Sequence, residues 1–210
     1  MQKEYATILE PGFGEIVEKK SRFIGYVCHV ESEKAAIDFV TSVKKKHYDA
    51  RHNCFAYVVG EENPILRFSD DGEPGGTAGK PILEVITGNG LCNICIVVTR
   101  YFGGTLLGTG GLVRAYTEAA KAAVSSTNIV RKRMVQPVRI HTNYNDLGKL
   151  QYILGSEGIT TLESEYGQEV VLLVEILVDE VDRIMQLMTE ATAARVSFEK
   201  EEVIFSVCGV

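Results

Sequence analysis

The stretch Val98-Thr-Arg-Tyr-Phe-Gly-Gly-Thr-Leu-Leu-Gly-Thr-Gly-Gly-Leu-Val-Arg114 decides how the first part of the chain folds. An apolar run, 94–98, leads into it and predicts a buried strand. Small and apolar residues follow it at helical spacing, from position 112 to position 123. Five glycines stand between these two patterns: Gly103, Gly104, Gly108, Gly110 and Gly111. The sequence therefore predicts a strand, a glycine-rich loop and a helix.

A glycine-rich loop that opens a helix is typical of an anion site, because the backbone can approach a ligand closely and free N–H groups point toward it. Arg100 and Arg114 flank the loop with positive charge, so we expect it to bind phosphate or a nucleic-acid backbone. The loop is not a P-loop, since no Gly-Lys-Ser/Thr follows the glycines. It also departs from the dinucleotide fingerprint, because Val113 stands where the third glycine is required. The alternative is a tight connection whose glycines only allow close packing.

Other basic and aromatic residues near predicted strand ends extend this candidate site. Basic residues precede two predicted strands, 23–30 and 55–59, and a lysine stands near the end of a second glycine-rich loop. Adjacent aromatic residues offer stacking surfaces for unpaired bases. The additional anion or nucleic-acid contacts predicted on this basis are Lys20, Arg22, Arg51, His52, Lys80 and Tyr101, with Phe102 as a further stacking residue. Solvated strand ends and a structural histidine are the alternatives.

The second glycine-rich loop, Ser69-Asp-Asp-Gly-Glu-Pro-Gly-Gly-Thr-Ala-Gly-Lys-Pro81, carries three carboxylates. Carboxylate oxygens are the ligands that Mg²⁺ prefers, so Asp70, Asp71 and Glu73 are weak candidates for a metal site. The alternative is that Asp71 and Gly72 form a turn and that the acids are solvated or cap helices. No cofactor and no catalytic residue is predicted.

Charge divides the chain of 210 residues, whose net charge is −6. Residues 1–133 hold 17 Lys and Arg against 15 Asp and Glu, whereas residues 134–210 hold 5 against 13, so the two parts carry +2 and −8. The first part suits a phosphate partner better than the second. Five cysteines make no secreted disulfide framework, and no apolar run is long enough to span a bilayer. The N-terminus lacks a signal-peptide core, and these features together indicate a cytoplasmic protein with no membrane partner.

The pattern changes after the basic connector Arg131-Lys-Arg133, where we place a boundary between domains 1–133 and 134–210. The second domain reads strand 135–142, a helix capped by Asn145 or Asp146, strands 159–166 and 169–178, a helix capped by Asp179, and strand 196–207. This β-α-β-β-α-β order is typical of the ferredoxin-like fold. The domain holds one histidine, His141, and one cysteine, Cys208, so it indicates a binding or docking module.

Four blocks of the sequence resemble the Impact/YigZ family: Lys20-Ser-Arg-Phe-Ile24, Ala50-Arg-His-Asn-Cys54, the segment 68–82 and the segment 97–116. The resemblance implies an α+β protein. Its first domain would have the ribosomal-protein-S-five domain-two-like fold, and its second would resemble the C-terminal domain of elongation factor G. In eukaryotes the family regulates translation initiation under amino-acid stress. For bacterial members, nucleic-acid or ribosome binding is a proposal.

We therefore expect a non-enzymatic regulatory protein linked to translation, which binds RNA, the ribosome or a phosphate-containing ligand through the glycine-rich, Arg-flanked loop. A protein partner from the translation machinery is also expected. Two alternatives stay open at this point. The first is a Mg²⁺-dependent enzyme that acts on a phosphorylated small molecule, and the second is a protein-interaction module that acts through the acidic second domain.

Overall fold

The computed structural model describes residues 3–207, and the chain divides between Arg131 and Lys132 into two compact units. The fold is α+β, as predicted. The strands are β1 Glu4–Ile8, β2 Gly12–Glu18, β3 Ser21–His29, β4 His52–Val59, β5 Ile65–Ser69, β6 Ile94–Tyr101, β7 Ile129–Thr142, β8 Thr161–Tyr166, β9 Val170–Leu177, β10 Ser197–Lys200 and β11 Ile204–Val207. The helices are α1 Glu33–Lys46, α2 Gly79–Gly88, α3 Gly108–Ser125, α4 Tyr144–Ser156 and α5 Val181–Ala191.

The first unit is built on an antiparallel sheet of five strands in the order β2-β3-β6-β4-β5. Helices α2 and α3 pack on one face, and α1 packs on the other. Glycines let α3 approach the sheet, since a Cβ atom at Gly25 would lie 2.4 Å from the carbonyl oxygen of Ala119. The predicted strand, glycine-rich loop and helix are β6, residues 102–107 and α3. The loop follows the last residue of β6 and therefore lies at one end of the sheet.

The second unit has the strand order β8-β9-β7, with β10 and β11 on the other edge of β7. Helices α4 and α5 cover one face and bury an aliphatic core that includes Ile140, Leu150, Leu172 and Ile184. The β-α-β-β-α-β order predicted from the sequence is confirmed. The basic connector 131–133 is part of β7, which runs through it without a loop.

The last predicted strand, 196–207, is divided into β10 and β11. Lys200 pairs with Val138 and Ile204 pairs with Val135, so three residues of the edge lie opposite two residues of β7. One of those two is Pro137, which has no N–H to donate to a neighbouring strand. The extra residue forms a bulge at this position, and the pattern of apolar residues alone does not reveal it.

Helix boundaries differ from the prediction mainly in the second unit. Ser32 caps α1, with its Oγ accepting from the Ala35 N–H over 3.1 Å. Helix α4 is capped by Asn143, two or three residues earlier than predicted, and α5 follows Glu180 rather than Asp179. Cys208 lies outside the described residues. None of the helices described is both long and apolar enough to cross a membrane.

Candidate anion-binding site

The glycine-rich loop leaves the start of α3 open. The helix begins at Gly108 after Leu107, and no side chain among residues 3–207 caps its first N–H groups. A Cβ atom at Gly104, Gly108 or Gly110 would meet no described atom within 4 Å. The N–H groups at a helix start lack intrahelical partners and lie at the positive end of the helix dipole. The loop therefore offers an unobstructed backbone surface of the kind that binds phosphate.

The basic turn between β2 and β3 packs against this loop. A Cβ atom at Gly103 would lie 2.1 Å from the carbonyl carbon of Lys20, so only glycine fits there without a shift. The Gly103 N–H also donates to Ser21 Oγ over 3.1 Å. Lys19 and Lys20 adopt positive φ angles of 46° and 69°, as the central residues of a type I′ hairpin turn do. These contacts hold the exposed Lys20 beside the glycine-rich loop.

Asp70 fixes the second glycine-rich loop at the start of α2. Its Oδ1 accepts from the N–H groups of Ala78 over 3.0 Å and Gly79 over 2.8 Å, and its Oδ2 accepts from that of Gly76 over 2.8 Å. Burial raises the pKa of this carboxyl, but the three N–H groups outweigh burial and lower the pKa below its ordinary value. Asp70 is therefore a helix cap that stays ionised at neutral pH.

Asp71 ties the same loop to α1 and β4. Its Oδ1 accepts from Lys44 Nζ and its Oδ2 from the Asn53 N–H, each over 2.7 Å. Its carbonyl oxygen lies 3.0 Å from His52 Nδ1. Because a carbonyl only accepts, Nδ1 of His52 carries a proton and donates to this oxygen. The predicted site residue His52 is thus held in one ring orientation by this second glycine-rich loop, residues 69–81, which we call the acidic loop.

Glu73 and Arg100 form an ion pair in the interior of the first unit. Arg100 Nη1 donates to Glu73 Oε1 over 2.7 Å, and the two residues are 7% and 8% exposed. Tyr116 donates its hydroxyl to the same oxygen over 2.8 Å. The sequence led us to expect Arg100 as a charge that flanks the anion site. In the structure Arg100 is buried and its charge is paired with Glu73, so its main contact is within the protein and an anion contact of Arg100 stays a prediction.

Aromatic rings complete the surroundings of Arg100. Its guanidinium carbon lies 5.4 Å from the ring centres of both Phe23 and Phe102. Phe102 is itself 54% exposed, so one ring contacts the buried guanidinium and also solvent. Such a contact restrains the ring in place, since a cation over an aromatic ring is attracted to it. Phe102 is therefore a fixed aromatic surface at the start of the glycine-rich loop.

The buried polar cluster also contains the thiol of Cys54 and the hydroxyl of Tyr116. The Cys54 thiol donates to the carbonyl of Asp70 over 2.9 Å, and burial raises its pKa to about 12. Burial also raises the pKa of Tyr116, with Cys54 and Glu73 adding to the effect. Both groups therefore stay protonated at neutral pH, and they serve the fold through their hydrogen bonds.

Two predicted site residues, Arg22 and Tyr101, lie on the other face of the sheet. They are register partners, and each is adjacent in its strand to a residue of the Arg100 face. Neighbouring residues of a strand point to opposite faces, so Arg22 and Tyr101 are separated from Phe23 and Arg100 by the sheet. Arg22 also makes two hydrogen bonds to Glu15, of 2.9 and 3.0 Å. Neither residue faces the same side as the buried ion pair.

Tyr101 belongs to a hydrogen-bonded chain that fixes the end of α1. Its hydroxyl donates to Asp49 Oδ1 over 2.8 Å and lies 2.9 Å from His47 Nδ1. Tyr26 contacts the other ring nitrogen of His47, with its hydroxyl 2.8 Å from Nε2. Tyr101 is therefore engaged within the protein, and Phe102 is the residue of the predicted stacking pair that presents a free face.

Four of the predicted cations are exposed and have no hydrogen-bonded or ionic partner in the described part of the chain: Lys20, Arg51, Lys80 and Arg114. Lys20 adjoins Gly103, as shown above. Arg51, Lys80 and Arg114 each stand within two residues of a group that binds the acidic loop, namely His52, Gly79 and Tyr116. Each of the segments that carry Arg51, Lys80 and Arg114 is therefore tied to the acidic loop by a hydrogen bond.

The three loop acids do not converge on a cation site. Asp70 accepts from backbone N–H groups, Asp71 from Lys44 and a backbone N–H, and Glu73 from Arg100 and a hydroxyl. Across residues 3–207, no group of three His, Cys, Asp or Glu side chains is arranged to hold a metal. The hydrogen bonds of Asp70, Asp71 and Glu73 instead hold the acidic loop in place.

The sequence interpretation missed the pairing of Glu73 with Arg100. One signal pointed to it, since Arg100 continues the alternation of Ile96 and Val98, whose side chains face α2 and α3. A basic residue in such a position needs a buried acid as its partner. The partner lies 27 residues away in a loop, where no periodic pattern marks it.

Comparison with known proteins gives matches over both units. The family model of the Impact N-terminal domain matches residues 19–124, and that of a domain of unknown function, DUF1949, matches residues 140–195. The IMPACT family member YvyE of Bacillus subtilis (strain 168) is 37% identical over 205 residues, which are 98% of this chain and 94% of that protein. YigZ of Escherichia coli (strain K12) is 42% identical over 160 residues, 75% of this chain and 78% of that protein.

A solved structure shares the fold over nearly the whole chain. It is a crystal structure described as that of a hypothetical protein, 35% identical, with a TM-score of 0.63. The match covers 96% of this chain and 99% of that chain. Sequence and structure thus agree along both units, and the chain belongs to the IMPACT family.

Proposed function

We propose that the protein regulates translation by binding RNA, free or within the ribosome, through phosphate contacts at the glycine-rich loop of the first unit. Membership of the Impact family supports the link to translation. The binding site is supported by the uncapped start of α3 together with four exposed cations that have no partner in the described part of the chain, on segments that adjoin one of the two glycine-rich loops: Lys20, Arg51, Lys80 and Arg114. Backbone N–H groups and exposed cations together suit the phosphates of a nucleic-acid backbone.

The exposed ring of Phe102 favours RNA over a small phosphorylated ligand. It begins the glycine-rich loop, and Arg100 restrains it from the protein side. Proteins recognise single-stranded RNA by stacking unpaired bases on such rings beside a basic surface. A base stacked on Phe102 would place its phosphates near the open start of α3. Single-stranded RNA is therefore the ligand class that uses both features.

Because the net charge of the chain is −6, we expect its affinity for RNA to depend strongly on the salt concentration. The protein as a whole repels nucleic acid, so binding depends on the local cations. Each phosphate neutralised by a cation releases counterions, and the affinity falls as salt rises. We expect binding at low salt that weakens steeply toward moderate salt.

Sedimentation of the protein with cell lysate through a sucrose gradient, at low and moderate salt, tests the proposal. The test variant is Lys20→Ala/Arg114→Ala, which removes two exposed and unpaired charges. The matched control is Lys34→Ala/Lys121→Ala, which removes two exposed charges elsewhere on the first unit. Arg100 is left intact, because its loss would disturb the fold rather than the surface.

Salt-sensitive migration with ribosomal subunits that the test variant loses and the control keeps is the expected result. Equal migration of the original protein and both variants with ribosomal subunits would show that Lys20 and Arg114 do not contribute to binding, and would contradict binding at the glycine-rich loop. Migration of all three at the top of the gradient would contradict ribosome binding. In that case a titration with single-stranded RNA would decide between free RNA and a small phosphorylated ligand.

A further inference from the structure

Within residues 3–207, the helices of the second unit pack on one face of its sheet and leave the other face without a helix of that unit. Ile140 and Leu172 face α4 and α5 and are fully buried in the core. Their strand neighbours Arg139, Val171 and Leu173 point to the opposite face and are only partly buried. No described helix of the unit covers this second face, and its side chains are not part of the aliphatic core.

Carboxylates surround the two aliphatic residues of this face. The register places Glu163 beside Leu173, and Glu165 beside Val171. On the far side of β7, Glu199 lies opposite Arg139. The side chains of Glu165 and Glu199 are each 69% exposed, so their charges reach solvent.

The two basic groups of this face are outnumbered by acids. Arg139 lies 2.8 Å from Glu201 and 3.7 Å from Glu165. His141 contacts two further carboxylates, Glu169 at 3.1 Å and Glu199 at 3.8 Å. Glu163 has no ionic partner among residues 3–207. The face therefore keeps a net negative charge, in line with the value of −8 for residues 134–210.

We propose that this acidic sheet face, centred on Glu163, Glu165, Val171, Leu173 and Glu199, docks a lysine- and arginine-rich segment of a partner protein. Charge complementarity selects such a partner and repels nucleic acid from the same face. The aliphatic stems of lysine and arginine pack on apolar side chains while their charged ends reach carboxylates. Val171 and Leu173 supply the apolar centre, and the glutamates supply the rim. The proposal is independent of RNA binding by the first unit.

Fluorescence anisotropy of labelled octalysine, titrated with the full chain at low salt, tests this docking surface. The test variant is Glu163→Gln/Glu165→Gln, which removes two negative charges from the face. The matched control is Asp182→Asn/Glu190→Gln, which removes two exposed charges from α5. Labelled octaglutamate serves as the probe of opposite charge. Amide chemical shifts of Val171 and Leu173 report the place of binding.

We expect the test variant to weaken octalysine binding about five-fold and the control to change it by less than about two-fold, in keeping with the modest strength of exposed charge pairs. We also expect shifts at Val171 and Leu173, and no binding of octaglutamate. Equal weakening by both variants would show that the peptide senses only the overall charge, which overturns the proposal. Absence of octalysine binding overturns it too. Self-association of the chain that only the test variant abolishes would make a second copy the occupant and would reject a separate partner.

Discussion

Arg100 and Glu73 meet at 2.7 Å inside the first unit, and their ion pair joins the end of β6 to the acidic loop. Tyr116 of α3 donates to the same carboxylate, so three parts of the chain share one buried oxygen. The strand and the helix on either side of the first glycine-rich loop therefore both contact the second glycine-rich loop. Two charges that look like ligand contacts in the sequence therefore form a contact within the protein.

Loss of the arginine should strongly destabilise the first unit. In Arg100→Met, Glu73 is left as a buried carboxylate without its cation, and breaking such a pair costs about 3–5 kcal/mol. Adding Glu73→Gln to this variant should recover part of the loss, because the neutral amide still accepts from Tyr116. Urea denaturation, followed by tyrosine fluorescence and circular dichroism, measures both changes.

The control for this prediction is Arg22→Met, which breaks the exposed pair with Glu15 in the same sheet. Exposed pairs contribute little, so the control should unfold close to the original protein. Equal losses of unfolding free energy in Arg100→Met and Arg22→Met would mean that burial does not make the Arg100 ion pair more important for stability. If Arg100→Met/Glu73→Gln is no more stable than Arg100→Met, the unpaired charge of Glu73 is not the cause of the lost stability.

Gly103→Ala should separate the basic turn from the glycine-rich loop. The new Cβ atom would lie 2.1 Å from the carbonyl carbon of Lys20, a backbone atom that cannot rotate away. Overpacking of this kind costs about 1–3 kcal/mol. Gly75→Ala is the control, because a Cβ there would meet no described atom within 4 Å. Denaturation curves that coincide for the two variants would argue against a fixed contact.

Gly110→Ala should stabilise the fold and weaken RNA binding. The position is exposed in the first turn of α3, with open space around the added Cβ, and alanine is favoured over glycine in a helix by about 0.5–1 kcal/mol. The same methyl group would occupy the space that the proposed phosphate needs. Denaturation and single-stranded RNA titration give the two readouts. Higher stability with unchanged RNA affinity would place the ligand away from this turn.

The sequence predicts local elements well because their signals are local. The apolar run before Gly103 and the small residues after Gly111 mark β6 and α3, and Ser32 marks the start of α1. Alternation along β6 also places Arg100 and Tyr101 on opposite faces of the sheet. The register that sets Arg22 opposite Tyr101, and the pairing of Arg100 with Glu73, depend on contacts between distant parts of the chain, which periodicity does not encode.

Asp70→Ala should destabilise the first unit in a pH-dependent way. The variant loses three acceptor bonds at the start of α2, and loss of a helix cap costs about 1–2 kcal/mol. The native pKa of Asp70 lies below its unfolded value of about 3.9, so its contribution is present above that pH and is lost as the pH falls through the native pKa. The difference in unfolding free energy between the original protein and the variant should be constant from about pH 5 to 8 and should shrink at lower pH. A difference that persists unchanged at about pH 3 would show that the ionised carboxylate is not what matters.

His47 should titrate below the ordinary range of histidine and should make the first unit less stable in mild acid. Burial lowers its pKa, Lys46 adds to the effect, and Asp49 opposes it. The neutral ring suits its two contacts, since Tyr101 donates to Asp49 and so accepts from Nδ1, which leaves Nε2 to accept from Tyr26. The unfolded chain therefore binds the proton more readily, and stability is complete above the unfolded pKa of about 6.5 and declines as the pH falls below it.

Two measurements check this behaviour of His47. An NMR titration of its ring proton should give a midpoint below about 6.5. Denaturation should show a smaller loss of stability between about pH 7 and pH 5 for His47→Gln than for the original protein. His141→Gln, in the other unit, corrects for general effects of acid. A ring midpoint at or above about 6.5 would show that the imidazolium is accommodated between the two tyrosines, because a buried cation there would then be stabilised rather than opposed by its surroundings.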